Sequence, residues 1–373
     1  MYDQFDTLTW KTRWVMRRNA ILGSAAFQRW ASRTPFVRRI ARRRAAAQFD
    51  MIAGFVYSQI LTAFVESGLI KFLQGRLCSF EELAEFSGLE REAMSRLLLA
   101  GQSLKIIESP EGNLWTLGET GAPLSANEGA MAMIRHHNLL YRDLSDPLRL
   151  LANARREETE LSAYWTYASK ADSRVEAVRY SELMAATQPM VSEQIIDSYN
   201  FSLHRRMLDI GGGSGAFTAA VKANNPNLQN GIFDLPDVIS EARKRIGDDP
   251  AAQDVELHPG SFKETPIPVG YDLITLVRIL HDHDDSVSQA LLTKIYHALP
   301  RGGRLLIVEP MADSNFAKPM GDAYFGMYLW AMGSGRPRSS QETTRMLKVA
   351  GFERIKAVKT ALPIITSALV AIK

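Results

Sequence analysis

The sequence predicts an α/β fold: a Rossmann-like, doubly wound sheet preceded by an N-terminal α-helical winged-helix dimerisation domain. A strand-like run at 207–210 leads into a glycine loop at 211–215, and apolar residues at helical spacing follow it. Strand-like and helical segments then alternate as far as residue 309, which is typical of a mostly parallel sheet. Upstream, residues 59–125 have the pattern of three helices and a hairpin.

The glycine loop is the stretch that says most about which ligand the protein binds. Glycine permits positive φ angles and lets a ligand approach the backbone where a Cβ would collide. Gly211, Gly213 and Ala216 satisfy the dinucleotide pattern G-x-G-x-x-G/A, so NAD binding is one interpretation. Asp209, just before the turn, suits the cationic amino group and sulfonium of S-adenosylmethionine and would repel a pyrophosphate. We therefore favour S-adenosylmethionine, with NAD and a purely structural loop as the alternatives.

A second acidic residue, Asp234, follows the loop by about 20 residues, which is where the second strand of such a domain ends. A carboxylate at that strand end can accept hydrogen bonds from both hydroxyls of a ribose. Asp234 is therefore predicted to bind the ribose of the cofactor.

Composition favours a soluble globular protein of two domains. The chain has 373 residues, of which 46% are hydrophobic and 23% charged, and both fractions are ordinary for that class. The single Cys78 excludes a disulfide framework and indicates a reducing, cytoplasmic compartment. Since no run approaches 18 apolar residues and the start lacks a charged region before an apolar one, we expect neither a membrane span nor a secretory signal.

Charge is concentrated in a basic arm at residues 1–50. This arm has eleven bases against three acids, a net charge of +8, which leaves −5 for the rest of a chain whose total is +3. Tryptophans and other apolar residues alternate with the arginines, a pattern that suits helices lying on an anionic bilayer surface. Helices that pack on a second subunit are an equal alternative, and a nucleic-acid-binding arm is a weaker one.

We predict a helical, winged-helix dimerisation domain at 51–185 and a cofactor-binding domain at 186–373. Ser79 and Glu82 have the spacing of a capping box at the start of one helix of the winged-helix unit. The presumed recognition helix at 91–99 has only two arginines among apolar residues, so pairing of subunits is favoured over DNA binding.

The most informative polar stretch is Arg278-Ile279-Leu280-His281-Asp282-His283-Asp284-Asp285. A histidine at a strand end beside the cofactor is well placed to take a proton from an acceptor group, so His281 is the predicted base. Glu309 ends the next strand and can orient the imidazole and stabilise the imidazolium, so it is the predicted catalytic partner.

A metal site is the alternative interpretation of this stretch. His281, His283 and Asp285 have a metallohydrolase-like spacing, but the only downstream histidine, His297, lies on a helix face. The site would thus be short of ligands, and we predict that no metal binds.

Four motifs in order carry a resemblance to a known family: Asp209-Ile210-Gly211-Gly212-Gly213-Ser214-Gly215, Phe233-Asp234-Leu235-Pro236, Ile279-Leu280-His281-Asp282, and Leu299-Pro300-Arg301-Gly302-Gly303 followed by Glu309. They resemble the S-adenosylmethionine-dependent O-methyltransferases of the plant caffeate and animal acetylserotonin type, over roughly residues 55–373. Four ordered motifs are far more specific than any one of them.

The resemblance implies roles for several residues and a homodimer paired through the N-terminal domain. His281 would be the proton acceptor, and Gln188 aligns loosely with a position that contacts the methionine carboxylate. Other residues would surround the rest of the cofactor: Asp234 at the ribose, Gly260, Ser261 and Phe262 at the adenine, and Arg278 close by.

The chain also departs from the family pattern. Ser261 replaces the usual acid, which puts a hydrogen bond to the adenine amine in doubt, and His283 replaces the tryptophan that typically follows the His-Asp pair. A second glutamate of the plant enzymes corresponds to about Pro337, so Glu309 is left as the acidic partner of the base.

Within the family, residues 278–285, the stretch at 333–338 and the arginine-rich arm look like the purple-bacterial carotenoid branch, the hydroxyneurosporene and demethylspheroidene O-methyltransferases. This resemblance implies that the substrate is the tertiary hydroxyl of a 1-hydroxycarotenoid. Bacteriochlorophyllide C-20 methyltransferases are similar and stay an alternative. An aromatic and methionine-rich insertion at 324–332 would suit a long apolar tunnel, although core packing or a dimer contact would explain it equally well.

Overall fold

The computed structural model describes residues 9–169, 174–247, 254–314, 319–363 and 366–373. The chain forms two compact units, Met1–Pro123 and Leu124–Lys373, which are described separately. The predicted domain boundaries at 50/51 and 185/186 each fall inside a continuous helix, Val37–Glu66 and Arg174–Ser198 respectively. The three-part division of the chain therefore stays a prediction.

The first unit begins with three helices: α1 (Trp10–Gly23), α2 (Ala25–Arg33) and α3 (Val37–Glu66). The hydroxyls of Thr9 and Ser24 accept backbone N–H groups in the first turns of α1 and α2, and these hydrogen bonds cap the two helices. Several large apolar side chains of this segment are exposed to solvent: Trp10, Trp14, Ile21, Trp30, Phe36, Phe49, Ile52 and Phe55. The basic arm is thus helical where the structure describes it.

The rest of the first unit comprises α4 (Leu69–Phe72), β1 (Cys78–Ser79), α5 (Phe80–Ser87), α6 (Arg91–Ser103), β2 (Ile107–Glu108), β3 (Leu114–Leu117) and α7 (Gly121–Ser125), which leads into the second unit. The predicted capping box is present, because Ser79 and Glu82 each accept a hydrogen bond from the other's backbone N–H. Strands β2 and β3 form the predicted hairpin. Phe64, Leu83 and Met94 are fully buried between the helices.

The second unit opens with α8 (Glu128–Asp143), α9 (Pro147–Asn153), α10 (Glu160–Ser169) and α11 (Arg174–Ser198). Strands and helices then alternate: β4 (Arg206–Ile210), α12 (Ala216–Asn224), β5 (Gln229–Asp234), α13 (Pro236–Gly247), β6 (Glu256–Pro259), β7 (Leu273–Val277), α14 (Asp285–Ala298) and β8 (Arg304–Glu309). A π-helical segment at Pro319–Phe325 precedes α15 (Gly326–Met332), α16 (Ser340–Ala350), β9 (Arg354–Val358) and β10 (Ser367–Ile372).

Across the described residues these strands form one sheet in the order β6-β5-β4-β7-β8-β10-β9. Strands β4 to β8 are parallel, and β10 is antiparallel to both of its neighbours. The order reverses between β4 and β7, and ligands of such sheets bind at this switch point, outside the carboxyl ends of the strands. The predicted doubly wound α/β fold is therefore confirmed.

Both faces of the parallel strands are buried, which explains their continuous apolar sequence. All five residues of β7 are buried, and one face packs on α14 and α16 while the other packs on α11 and α12. Within the part of the chain that the structure describes, helices of sufficient length and apolarity to span a bilayer do not occur.

Candidate active site

The glycine loop connects β4 to α12 at the carboxyl edge of the sheet. Gly211 and Gly213 have φ angles of +70° and +59°, which side-chain-bearing residues rarely adopt. A Cβ on Gly211 would lie 2.3 Å from Cδ1 of Ile279, so this glycine is needed for close packing. A Cβ on Gly213 would have no atom within 4 Å, so the backbone there borders open space where a ligand can approach.

Asp209 lies beneath the loop and does not face that open space. Its carboxylate accepts hydrogen bonds from the hydroxyls of Thr275 at 2.6 Å and Thr218 at 3.1 Å, and the residue is 1% exposed. Burial raises the pKa of Asp209 to about 7, although both threonines oppose this effect. In this structure Asp209 ties the loop to β7 and α12, and its direct contact with a ligand cation stays a prediction.

Asp234 ends β5 and is half-buried at the rim of the site. Its Oδ2 accepts the N–H of Gly213 at 2.8 Å and its Oδ1 accepts the N–H of Leu235 at 2.7 Å. Burial raises the pKa of this carboxyl, against the lowering effect of the two hydrogen bonds. Each carboxylate oxygen retains a further lone pair, so Asp234 can accept ribose hydroxyls while it fixes the glycine loop.

The turn after β6 lies beside Asp234. The N–H of Gly260 donates to the carbonyl of Asp234 at 2.8 Å, and the Ser261 hydroxyl accepts the N–H of Lys263 at 3.3 Å. The ring of Phe262 meets the ring of His283 edge to face, with centroids 5.2 Å apart. The structure therefore brings the three residues expected at the adenine together next to the residue expected at the ribose.

Arg278 follows β7 in a left-handed conformation with φ of +58°. Such a conformation costs a non-glycine residue about 1–3 kcal/mol, and it persists where the surroundings enforce it. Here its N–H donates to the carbonyl of Val308 and its Nη1 donates to the hydroxyl of Thr187 on α11, each at 2.8 Å. Gln188, the next residue on α11, is half-buried. The strained backbone turns the chain sharply from β7 into the segment that holds His281.

His281 lies on a 3₁₀ turn, Leu280–Asp282, and Glu309 ends the adjacent strand β8. The carboxylate of Glu309 accepts three backbone N–H groups of this segment, from Ile279 at 3.0 Å, Leu280 at 2.6 Å and His281 at 3.0 Å. It also lies 3.0 Å from Nδ1 of the imidazole. The predicted pair is thus brought together, and Glu309 fixes both the ring and the backbone that carries it.

The other ring nitrogen of His281, Nε2, lies 3.1 Å from Oδ1 of Asp282. Burial alone would lower the pKa of His281, but the carboxylates of Asp282 and Glu309 outweigh it and raise the pKa above its usual value. Burial likewise raises the pKa of Asp282 to about 6. We did not predict the contact with Asp282 from the sequence, because neighbouring residues reach each other's side chains only in particular turns.

The aromatic insertion borders this base. The ring of Phe325 meets that of His281 edge to face, with centroids 6.2 Å apart. On α8, Nε2 of His136 lies 2.9 Å from the Tyr328 hydroxyl, and Nε2 of His137 lies 2.7 Å from the Tyr324 hydroxyl. Burial lowers the pKa of His136 to about 4, so its ring is neutral at physiological pH. These histidines fix the tyrosines of the insertion.

In the described part of the chain, groups of three or more histidine, cysteine or acidic side chains that could hold a metal ion do not occur. Burial lowers the pKa of His283 to about 4, and its ring packs on Phe262. His281 contacts Asp282 within the stretch at 278–285 and Glu309 outside it.

Comparison with known proteins identifies the family. Residues 141–353 match a family model described as an O-methyltransferase domain. A demethylspheroidene O-methyltransferase of Rhodobacter capsulatus is 40% identical over 343 residues, which cover 91% of this chain and 85% of the relative. The enzyme of the same name from Cereibacter sphaeroides is 37% identical and covers 95% of this chain and 93% of its own length.

Solved structures agree on the fold. Human N-acetylserotonin methyltransferase, solved in complex with S-adenosylmethionine, superposes with a TM-score of 0.72 at 22% identity, covering 88% of this chain and 97% of that protein. The mitomycin 7-O-methyltransferase also superposes with a TM-score of 0.72, at 23% identity, and covers 90% of this chain and all of that protein. The predicted enzyme class is thus confirmed, and the chain belongs to the O-methyltransferase family.

Proposed function

We propose that this chain is an S-adenosylmethionine-dependent O-methyltransferase that methylates the tertiary hydroxyl of a hydroxylated carotenoid. The main support for this substrate is the 37–40% identity, over more than nine-tenths of this chain, with two demethylspheroidene O-methyltransferases. The site geometry supports the reaction type, since a buried histidine paired with a glutamate lies at the same sheet edge as the glycine loop.

The residues at the loop fit this cofactor. The open space above Gly213 admits a ligand to the backbone, and the Asp234 carboxylate beside it has lone pairs for two ribose hydroxyls. Gly260, Ser261 and Phe262 would hold the adenine, and Arg278 and Gln188 would lie at the methionine end. When bound, S-adenosylmethionine supplies an electrophilic methyl group.

His281 would remove the proton of the acceptor hydroxyl. An aliphatic alcohol is several pKa units weaker as an acid than a phenol and cannot be ionised beforehand, so the proton leaves as the new oxygen–carbon bond forms. Because Glu309 holds Nδ1, Nε2 is the nitrogen that would accept this proton, and the acceptor hydroxyl would have to take the place of its contact with Asp282 Oδ1. Glu309 then stabilises the imidazolium, and holding the reactants in line supplies most of the rate enhancement.

The pH dependence of turnover tests this role. A base must be neutral to accept a proton, so we expect kcat to rise with pH through a midpoint above 6.5, because Asp282 and Glu309 raise the pKa of His281. Glu309→Gln removes one of these carboxylates and should move the midpoint to lower pH while it lowers kcat. A midpoint that does not move in the variant would contradict the pairing.

The pairing of His281 with the two carboxylates also contributes to the stability of the fold, because it raises the pKa of His281 in the folded state. This contribution is fully present below a pH of about 6.5 and is lost as the pH rises through the folded-state pKa.

The aromatic insertion would form an apolar channel for the polyene. Phe325 lies next to the base, and Leu329, Ala331 and Met332 are buried in a cluster with Leu140 and Leu150. Such a channel favours a long hydrocarbon over a small polar phenol.

Product identification tests the substrate assignment. Purified protein, labelled S-adenosylmethionine and a detergent-dispersed 1-hydroxycarotenoid should yield a labelled, base-stable methyl ether faster than a small soluble phenol does. Faster methylation of the phenol, or label in a tetrapyrrole when a pigment extract is supplied, would contradict it.

The substrate also gives the basic arm a function. A carotenoid resides in a bilayer, so an enzyme that binds an anionic membrane peripherally can receive it without passage through water. Exposed tryptophans and arginines on α1 to α3 suit the headgroup region. We further propose that the N-terminal unit pairs two subunits into a homodimer.

Co-sedimentation tests the membrane contact. We expect binding to phosphatidylglycerol vesicles at about 50 mM salt that weakens strongly at about 500 mM. The triple variant Arg39→Gln, Arg42→Gln, Arg43→Gln should reduce binding by about tenfold or more, at about 1 kcal/mol for each exposed arginine. A matched control, Arg243→Gln, Arg245→Gln, Arg301→Gln, removes the same charge from the other unit and should bind normally. An equal loss of vesicle binding in both variants would show that binding depends on the net charge of the protein and not on the basic arm.

A further inference from the structure

The 3₁₀ turn that carries His281 is held from two sides. The N–H groups of Ile279, Leu280 and His281 point to Glu309, as described above. The carbonyl groups of the turn and of the next residue, His283, point the other way, towards a loop between α15 and α16 at residues 334–338, which we call the clamp loop.

Each of these carbonyls accepts a hydrogen bond from the clamp loop. Arg338 Nη1 donates to Leu280 O at 2.6 Å, Arg336 N donates to His281 O at 2.9 Å, Ser334 Oγ donates to Asp282 O at 2.8 Å, and Arg338 Nη2 donates to His283 O at 2.7 Å. Each carbonyl from Leu280 to His283 therefore has a hydrogen-bond donor in the clamp loop, and the guanidinium of Arg338 binds the first and the last of them.

Close approach of the two segments depends on a glycine. Gly335 has a φ of +77°, and a Cβ there would lie 2.0 Å from the carbonyl oxygen of His281. A side chain at this position would push the clamp loop away from the turn.

The guanidinium of Arg338 is itself fixed. Its side chain is 3% exposed, and Nε and Nη2 donate to Oδ1 of Asp285 at 3.0 and 2.8 Å. The carbonyl of Arg338 accepts the N–H of Ala312, just beyond β8. The same residue thus links the histidine turn, the start of α14 and the loop after Glu309.

We propose that Arg338 is a positioning residue for methyl transfer, which holds the His281 turn in the conformation that presents the imidazole to the substrate. This inference rests on the proposed function for its catalytic consequence. Arg338 acts through the backbone of the turn.

Arg338→Lys is the sharpest test. Lysine keeps the charge, but a single ammonium cannot span Leu280 O, His283 O and Asp285 at once. We expect hydrogen exchange of residues 279–283 to accelerate by about tenfold or more, because Leu280 O and His283 O lose the guanidinium and keep only hydrogen bonds of 3.2 Å, from Ser288 Oγ and, at Leu280, also from the His283 N–H. We also expect kcat to fall by about tenfold or more and the midpoint of its pH dependence to move. The Kd for S-adenosylhomocysteine and the hydrogen exchange of residues 211–215 should stay within about twofold of the wild-type values.

Arg336→Gln is the matched comparison, because this half-exposed side chain also binds Asp285 but donates to none of the turn carbonyls. Its effects on exchange and kcat should be several-fold smaller than those of Arg338→Lys. If Arg338→Lys does not fold, Asp285→Asn is the second test. Asp285 is exposed, and its replacement removes the carboxylate that holds the Arg338 guanidinium. We then expect hydrogen exchange of residues 279–283 to be about threefold faster.

The proposal would be overturned if Arg338→Lys folds and both its exchange and its kcat are unchanged. If Asp285→Asn has to be used in place of Arg338→Lys, unchanged exchange in Asp285→Asn would overturn the proposal. The exchange measurement needs no substrate. A wild-type chain that methylates no hydroxycarotenoid would therefore defeat the proposed function, and the exchange data would still decide whether Arg338 holds the turn.

Discussion

Replacement of His281 with alanine is expected to lower kcat by about 100-fold or more, since a positioned general base contributes about 10²–10⁴-fold. The effect should be large because the acceptor is an alcohol, whose proton must be removed in the same step. Glu309 cannot take over easily, because it is committed to three backbone N–H groups of the turn. Steady-state kinetics with a saturating 1-hydroxycarotenoid would measure the loss.

Two controls make this result specific. The Kd of His281→Ala for S-adenosylhomocysteine, measured by calorimetry, should stay within about threefold of the wild-type value, because His281 is not among the residues assigned to the cofactor. His297→Ala removes an exposed histidine of α14 and should leave kcat unchanged. Near-normal turnover in His281→Ala would remove His281 from the mechanism.

Asp234→Ala is expected to weaken cofactor binding by about 100-fold. Hydrogen bonds to a charged group contribute about 1.5–3 kcal/mol each, and each 1.4 kcal/mol is a factor of ten in affinity. The variant also leaves the N–H groups of Gly213 and Leu235 without their acceptor, so the glycine loop loses its support at the same time. Calorimetric titration with S-adenosylhomocysteine would measure the change.

The fold should survive this substitution, because Asp234 lies at the rim and not in the core. Asp237→Ala, three residues along in the first turn of α13, removes the same charge from an exposed position and should bind the cofactor normally. Wild-type affinity in Asp234→Ala would show that the ribose is held elsewhere.

The sheet and the base were predictable because each depends on local sequence patterns. Continuous apolar runs identify buried parallel strands, and polar residues at their carboxyl ends converge at one edge by topology alone. His281 follows β7 and Glu309 ends the adjacent strand β8, so their contact could be inferred from the sequence.

Other features of the site could not be predicted this way. Asp209 precedes the glycine loop in sequence, yet strand alternation directs its side chain inward, where it accepts hydrogen bonds from Thr218 of the next helix and from Thr275, 66 residues away. The contact of Arg338 with Leu280 joins residues 58 positions apart through an irregular loop without periodicity. The positive φ of Arg278 has no sequence signature, since glycine would be the usual residue there.

A crystal structure with bound S-adenosylhomocysteine would show whether the glycine loop and His281 belong to one active site. We expect this ligand to lie against residues 211–215, with both ribose hydroxyls on the Asp234 carboxylate and the sulfur atom facing the imidazole of His281 across a space that an acceptor oxygen can enter. A ligand bound elsewhere, or side chains filling the space between the sulfur and the imidazole, would contradict this expectation.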